Sequence, residues 1–234
     1  MNTESIRLGV NARIEEARLL LQFIRAAEIA RPTTGTLSPL ASMLRGIFYV
    51  QVYGALEYCV TQGCQQFIGY AATLNIHHCH LEPRFNAVAL DAEIMSLHSK
   101  KSKDWKARIK LFERLSSANH SNANDTVFGS FLFNIWPATI EEIFQCFSID
   151  QAVTAEPRQL GYLKELVEKR NAVAHGRETS SDAGEGKSGE DLDRLMNAVY
   201  GVCFYFLTTL ETHASNRGII KEAFRTDYPM EIPP

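Results

Sequence analysis

Long uninterrupted hydrophobic segments are missing from this sequence. The richest apolar stretch, residues 47–68, is interrupted by one glutamate and several glutamines, which are too polar for a lipid-spanning helix. No basic segment followed by an apolar run marks a signal peptide. We therefore expect a cytoplasmic protein with no membrane contact, in which residues 47–68 form a core helix.

The sequence also has few cysteines and no excess of positive charge. The 234 residues include five cysteines, an odd number spread from Cys59 to Cys203, which does not fit a secreted disulfide scaffold. The formal net charge is −3 at pH 7, so a nucleic acid would have to bind a local basic patch. Glycine-rich phosphate loops and nucleophile-elbow motifs are absent, so neither nucleotide hydrolysis nor serine hydrolysis has support.

Helical periodicity runs through most of the chain, and strand-like alternation does not interrupt it. The content of 45% hydrophobic and 22% charged residues is that of a globular protein, and we predict one all-α bundle. This domain spans residues 1–215, with a variable insert near 75–130 and a peripheral C-terminal tail over 216–234. The predicted helices are Ile6–Ala30, Ser38 to about Ala72, Asp104–Leu115, Pro137–Phe147, Pro157 to the region of Arg170–His175, and Leu192 to about Leu210.

Two polar segments are predicted to be loops. Residues 116–124 are rich in asparagine and serine, which favour turns over helix. Residues 177–190 consist largely of Ser, Gly, Asp, Glu and Thr, which cannot bury enough apolar surface to become ordered. We expect this second segment to be a mobile loop.

The segment before that loop carries the strongest candidate chemistry. Positions 160, 163, 167, 170 and 174 share one helical face, which places Arg170 on an inward stripe. A guanidinium always stays charged, so burying it requires a carboxylate, a solvated cleft or an anionic ligand; a structural ion pair is the alternative. His175 lies four residues after Asn171, whose amide could fix the imidazole tautomer, and Gly176 suits a helix C-terminus. An ordinary capping role for His175 is the alternative.

The string LVEKRNAVAHG, residues 166–176, resembles the HEPN signature: an arginine, usually followed by a polar residue, then a histidine four to six residues on. The resemblance implies a helical core that dimerises, so that Arg170 and His175 of two chains face one another across a cleft. It also implies RNA cleavage without a metal or other cofactor, by attack of the ribose 2′-OH on its own phosphate. His175 would move protons and Arg170 would stabilise the phosphorane, with Asn171 beside them. Many toxins of the family carry a tyrosine two residues after the histidine, where this chain has Arg177.

Three functions remain open at this point. The first is an endoribonuclease acting as a toxin or antiviral effector, with an antitoxin or a defence-system protein as partner. The second is a non-catalytic dimerising module that binds a protein or RNA. The third is a small-molecule-binding bundle with Phe204, Tyr205 and Phe206 around a pocket, although such residues are more often core.

Glu57 is a further site candidate, because its helical neighbours Val50, Tyr53, Val60 and Cys64 are largely apolar. A carboxylate on that face needs a cation. Arg170 would suit, in which case Glu57 would hold the guanidinium in place. Pairing with Arg45 or simple exposure are the alternatives.

Two further clusters of polar side chains are candidate binding sites. Lysines interleaved with Trp105 could track an RNA backbone, or could form an ordinary solvated helix face: Lys100, Lys101, Lys103, Lys106 and Lys110. The string His77-His78-Cys79-His80, with Cys64 upstream, has zinc-capable groups. Adjacent residues cannot all ligate one tetrahedral ion, so we expect a polar interhelical turn and no bound metal.

Overall fold

Helices account for the regular structure of the described residues, which are 1–29, 39–99, 105–121 and 123–228 of the computed structural model. No β-strand occurs among these residues, and the prediction of an all-α fold is confirmed. The α-helices are α1 Glu4–Ile29, α2 Pro39–Thr73, α3 Asn86–Ala89, α4 Asp91–Ser99, α5 Trp105–Leu115, α6 Pro137–Cys146, α7 Gln159–Ala174, α8 Ser180–Ala183 and α9 Gly189–Ser215. Short 3-10 helices lie at His78–His80, Gly129–Phe133 and Glu222–Asp227.

The helix ends follow local chemistry, and this corrects one predicted boundary. Helix α6 begins at Pro137, as predicted, and the backbone N–H of Trp136 donates to Thr139 Oγ1 at 3.2 Å. Helix α9 begins three residues before the predicted Leu192. Ser188 accepts from the Asp191 N–H at 3.2 Å and donates to its carboxylate at 2.7 Å, forming a capping box that extends the helix towards its N-terminus.

Helix α2 is the centre of the bundle. It packs against α1, α7, α8 and α9, and its large side chains such as Phe48, Val52 and Leu56 are fully buried. Helix α1 contributes a stripe at three- and four-residue spacing: Ile6, Val10, Ile14, Ala17, Leu21 and Ile24. The prediction that residues 47–68 form a core helix is confirmed. None of the helices in the described part of the chain is long and apolar enough to cross a membrane.

Residues 177–190 are better ordered than their composition indicated. Helix α8 lies within this segment, Thr179 accepts from the Asp182 N–H at 3.2 Å, and Ala183 is fully buried. Gly46 and Gly184 let the backbones of α2 and α8 touch, because a Cβ at either position would meet backbone atoms of the other segment. The prediction of a mobile loop is therefore wrong for this part. The small apolar side-chain area of this segment did not indicate its order, because glycine and other small residues let its backbone pack directly against the backbone of α2.

The insert and the start of the C-terminal tail pack together. Isolated bridges join His77 to His120 and Leu81 to Ile220. Ile219 and Ile220 are buried, and the Phe224 ring stacks on the His80 ring with centroids 3.8 Å apart. The expectation of a peripheral tail is therefore wrong for Ile219 and Ile220, which belong to the hydrophobic core, and for Phe224, which packs against it. Residues 229–234 lie outside the described part.

Candidate active site

Arg170 lies in the last turns of α7, where two neutral amide groups hold its guanidinium. Nη1 donates to Asn171 Oδ1 at 2.7 Å and to Asn134 Oδ1 at 3.1 Å. Asn171 belongs to the same helix, whereas Asn134 comes from the turn between the 3-10 helix Gly129–Phe133 and α6. The side chain of Arg170 is 18% exposed. Two amide oxygens thus fix Nη1 of the guanidinium, while part of the side chain still reaches solvent.

Tyr53 of α2 forms the floor beneath this guanidinium. Arg170 Cζ lies 4.0 Å from the centroid of the tyrosine ring, within cation–π range. The Tyr53 hydroxyl accepts from the Ile135 N–H at 3.0 Å and donates to the Phe133 carbonyl at 3.3 Å. Burial raises the pKa of Tyr53, which therefore stays neutral. The same tyrosine thereby supports Arg170 and anchors the turn that carries Asn134.

Glu57 is the carboxylate nearest to Arg170, but the two are not tightly paired. Glu57 Oε2 lies 3.9 Å from Arg170 Nη2, beyond hydrogen-bond distance, and the glutamate side chain is 39% exposed. Within the described residues, neither Nη2 nor Nε of Arg170 makes a hydrogen bond. The structure thus places Glu57 beside Arg170, as one of the alternatives predicted, in a long ion pair that leaves Nη2 and Nε free of hydrogen bonds among the described residues.

Arg45 shows what a structural arginine looks like in the same fold. Its side chain is 3% exposed and forms an ion pair with Glu28 of α1. Glu28 also accepts from the Gly189 N–H at 2.8 Å, so this pair joins α1, α2 and the start of α9. The alternative that pairs Arg45 with Glu57 is therefore wrong. Compared with Arg45, Arg170 has neutral acceptors, a carboxylate beyond hydrogen-bond distance, and Nη2 and Nε groups with no hydrogen bond among the described residues, an arrangement that can receive an anion.

His175 is the residue that ends α7. Its backbone N–H donates to the Asn171 carbonyl at 3.1 Å, and the next residue, Gly176, has φ +67° and turns the chain away. The imidazole is exposed and has no hydrogen-bond partner among the described residues. The expectation that the Asn171 amide fixes its tautomer is wrong, because Asn171 Oδ1 accepts from Arg170 instead.

The predicted inward stripe of α7 is right in its middle and wrong at its end. Leu163 and Val167 are buried and Arg170 is mostly buried, but Ala174 is exposed. Asn171 is buried, at 7% exposure. The buried face therefore rotates towards Asn171 in the last turn, which leaves both Ala174 and His175 in solvent.

The lysine cluster lies on a different part of the fold. Lys106 and Lys110 are exposed on α5, whereas Lys100, Lys101 and Lys103 lie outside the described residues. Helix α5 packs against α4 and the 3-10 helix His78–His80, while Arg170 is held by α2, α7 and the turn before α6. The elements against which α5 mainly packs in the described residues are therefore different from those that hold Arg170.

The histidine string has structural partners. His78 is buried, with Nδ1 3.2 Å from Asn86 Oδ1, and burial lowers its pKa. His80 Nδ1 lies 2.8 Å from the Tyr228 hydroxyl, and Cys64 lies in the core on α2. In the described part of the chain, no three His, Cys, Asp or Glu side chains are grouped so as to hold a metal ion. The string joins the insert to the tail, as expected of a polar turn.

The aromatic residues of α9 divide between core and surface. Phe206 is fully buried and stacks on Phe144 with ring centroids 5.6 Å apart. Phe204 is only partly buried, with the Arg7 guanidinium 5.0 Å from its ring centroid, and Tyr205 is likewise partly buried. Phe206 is therefore a core residue and not part of a ligand pocket.

Comparison with known protein families gives one match that covers most of the chain. The family model described as HEPN_MAE_28990-like HEPN matches residues 8–219. No curated protein and no solved structure matches the chain. The matched range covers every helix that carries or supports Arg170 and His175.

Proposed function

The chain belongs to the HEPN_MAE_28990-like HEPN family, and on that premise we propose that it is a metal-independent endoribonuclease. The observation that carries the proposal is the state of Arg170: two amides fix its guanidinium, its carboxylate neighbour Glu57 lies beyond hydrogen-bond distance, and Nη2 and Nε make no hydrogen bond among the described residues. Its position five residues before the exposed His175 matches the signature of the family. The cellular role that we propose is that of a toxin or antiviral effector, restrained or triggered by a partner protein.

The reaction needs only groups that the chain and the RNA provide. The ribose 2′-oxygen attacks the adjacent phosphorus and loses its proton, and the bond from phosphorus to the 5′-oxygen breaks as that oxygen gains a proton. The exposed imidazole of His175 transfers protons, and the Nη2 and Nε groups of Arg170 stabilise the phosphorane oxygens. The products are a 2′,3′-cyclic phosphate and a 5′-hydroxyl. Asn134, Asn171 and Glu57 act as positioning residues, because each touches Arg170.

A second copy of the chain is part of the proposal. Residues five apart on a helix point about 140° away from each other, so one α7 does not bring Arg170 and His175 together on one face. Helix α2 exposes an apolar row at helical spacing that ends at Val50, about two helical turns before Glu57, and the neighbouring α1 exposes two more large apolar side chains. The row consists of Leu40, Met43, Ile47 and Val50 of α2, with Leu19 and Phe23 of α1. We propose a dimer whose interface includes α7 and this row, so that each site takes Arg170 from one chain and His175 from the other.

Two inactive variants test the shared site. Arg170→Lys and His175→Ala chains, carrying different affinity tags, are co-expressed and purified as the mixed dimer. One of its two sites then has an intact Arg170 and an intact His175, so about half of the wild-type cleavage rate is expected. A mixed dimer as inactive as either parent would place both residues in one chain's site. Light scattering that finds only monomers of an active protein would exclude the dimer altogether.

The cleavage assay uses total RNA in excess chelator. His175→Ala should lower the rate by about 10² to 10⁴, because a general acid or base is lost. Arg170→Lys should also fail, because an ammonium cannot reproduce the planar fork of a guanidinium on a phosphate. Arg158→Lys, an exposed change at the other end of α7, is the matched control and should cleave normally. Products should carry 2′,3′-cyclic phosphates, and an all-DNA substrate should remain intact.

A non-catalytic binding module is the second candidate, and one observation favours it. The His175 imidazole has no hydrogen bond among the described residues, whereas catalytic histidines usually have an orienting partner. If the folded wild-type protein leaves RNA intact, this second function replaces the first. If His175→Ala and Arg170→Lys stay folded and cut RNA at the wild-type rate, or if cutting needs a divalent ion, the proposed roles of Arg170 and His175 are wrong.

A further inference from the structure

Helix α5 exposes three large apolar side chains on one face. Trp105 is 62% exposed, Ile109 55% and Phe112 69%. Their spacing of four and then three residues places them in a single row along the helix. These residues, the α5 stripe, line one shallow surface depression together with Arg108, Glu113 and Ser116.

The stripe lies away from the side by which α5 is attached. The partly buried residues of α5 are Ala107, Leu111, Arg114 and Leu115, and Arg114 Nη1 pairs with Glu93 Oε1 of α4 at 2.5 Å. Successive helical residues turn by about 100°, which puts this packed side roughly opposite the stripe. The α5 stripe therefore contributes nothing to the core. Burying its three side chains against another molecule would be favourable by the hydrophobic effect.

Charged side chains border the stripe and indicate the charge of a partner that would fit it. Lys106 and Lys110 lie along one side and Arg108 along the other, with Arg108 Cζ 5.0 Å from the Trp105 ring centroid. If a second copy of the chain docked stripe to stripe, these cations would lie close to the same cations of the other copy and repel them. Glu113 lies at the edge of the same depression, so a helix whose carboxylates stand only opposite the cations fits better than an RNA backbone or an anionic membrane, which is negative along its whole surface. Ile109, in the middle of the row, also offers no flat ring on which a base could stack.

We propose that the α5 stripe is a docking surface for an acidic amphipathic helix of a partner protein. The partner helix would lay an apolar face on Trp105, Ile109 and Phe112 and present carboxylates to the cations that border them. Apolar anchors one helical turn apart are the recognition pattern of helix-mediated binding. The proposal is independent of the cleavage reaction, because in the described residues α5 packs mainly on α4 and the 3-10 helix His78–His80, whereas Arg170 is held by Asn134, Asn171 and Tyr53.

The test uses a designed peptide of roughly 18 residues, five helical turns, with one leucine face flanked by glutamates. A matched peptide with lysine for every glutamate and a scrambled glutamate peptide are the controls. Binding is followed by anisotropy of the labelled peptide and by Trp105 emission, which should shift to the blue as the indole leaves water. The other tryptophan of the chain, Trp136, is already partly buried. Only the acidic amphipathic peptide should bind.

Two variants and two competitors decide the outcome. Ile109→Ala should weaken peptide binding by about tenfold, as the loss of a central anchor does. Leu8→Ala is the matched control, because Leu8 is an aliphatic residue of similar exposure, 59%, on α1, and it should bind like the wild type. Equal binding of the acidic and basic peptides would overturn the proposal. So would preferential binding of single-stranded RNA or phosphatidylglycerol vesicles that Ile109→Ala abolishes, because the stripe would then serve RNA or lipid.

Discussion

Replacing Asn134 by aspartate would put a carboxylate directly on Arg170 and test whether that charge must stay free. Asn134 Oδ1 accepts from Arg170 Nη1 at 3.1 Å, and aspartate has nearly the same shape. The Asn134 carbonyl would keep its bond from the Thr139 hydroxyl at 3.1 Å. The substitution therefore changes charge at an almost constant geometry.

The expected effects on stability and on activity have opposite signs. A hydrogen bond between neutral groups contributes about 0.5–1.5 kcal/mol, and one involving charged groups about 1.5–3 kcal/mol. The Asn134 bond already has one charged partner, and the Arg170 side chain is 18% exposed and hence only partly screened. We expect Asn134→Asp to raise the free energy of unfolding by up to about 1 kcal/mol. The phosphate must then displace that carboxylate, and about 1.4 kcal/mol taken from the transition state slows cleavage about tenfold.

Urea unfolding and single-turnover cleavage of one RNA measure the two quantities on the same preparation. Asn134→Ala is the companion variant, which removes the acceptor without adding charge and should lower stability. If Asn134→Asp is more stable and cleaves at the wild-type rate, the substrate does not use the charge of Arg170. The catalytic argument would then be refuted, and the arginine would be structural.

Three further changes test the fold and the site. Gly46→Ala should lower the free energy of unfolding, measured in urea, by about 1–3 kcal/mol, because its Cβ would meet the α8 backbone. Gly54→Ala is the control: the space around Gly54 is open, so this change should raise the free energy of unfolding by about 0.5–1 kcal/mol. Equal effects of the two changes would contradict the close packing of α2 on α8. Burial lowers the pKa of His78 and His213, so the unfolded chain binds more protons than the folded one. The urea midpoint of unfolding should therefore fall as the pH drops below about 6.5. A midpoint that stays constant between about pH 7.5 and 5.5 would contradict the burial of these two imidazoles. Glu57→Gln should change the cleavage rate by less than about tenfold, because the pair is long and partly exposed, and a loss as large as that of His175→Ala would give Glu57 a proton-transfer role.

The long helices could be predicted because their signals are local. Pro39 and Pro137 begin helices, and the apolar spacing of α1 identifies its buried face. The ordered part of residues 177–190 could not be predicted from its composition. Its stability depends on Gly46, more than a hundred residues earlier in the chain, which lets α2 and α8 approach.

The sequence motif indicated the candidate residues themselves, but not most of the residues that surround the Arg170 guanidinium. The motif identified Arg170 and His175, and the apolar neighbours of Glu57 identified that carboxylate. Asn134 and Tyr53 were missed, although they form a side and the floor of the guanidinium site. One signal was available, because Tyr53 precedes Glu57 by one helical turn and so shares its face. Asn134 had no such signal, because a turn places it and no periodicity governs turns.

Two arginines at inward positions show which kind of evidence separates structure from function. Arg45 lies on α2 and Arg170 on α7, and helical periodicity treats them alike. Their acceptors differ, because Arg45 meets the carboxylate of Glu28 while Arg170 meets the amides of Asn134 and Asn171. A carboxylate neutralises the guanidinium, whereas an amide orients it and leaves its charge for another anion. Arg170, held by two amides and with its carboxylate neighbour 3.9 Å away, keeps its position in the packed bundle and retains donors for an anion, which is the arrangement that the proposed reaction needs.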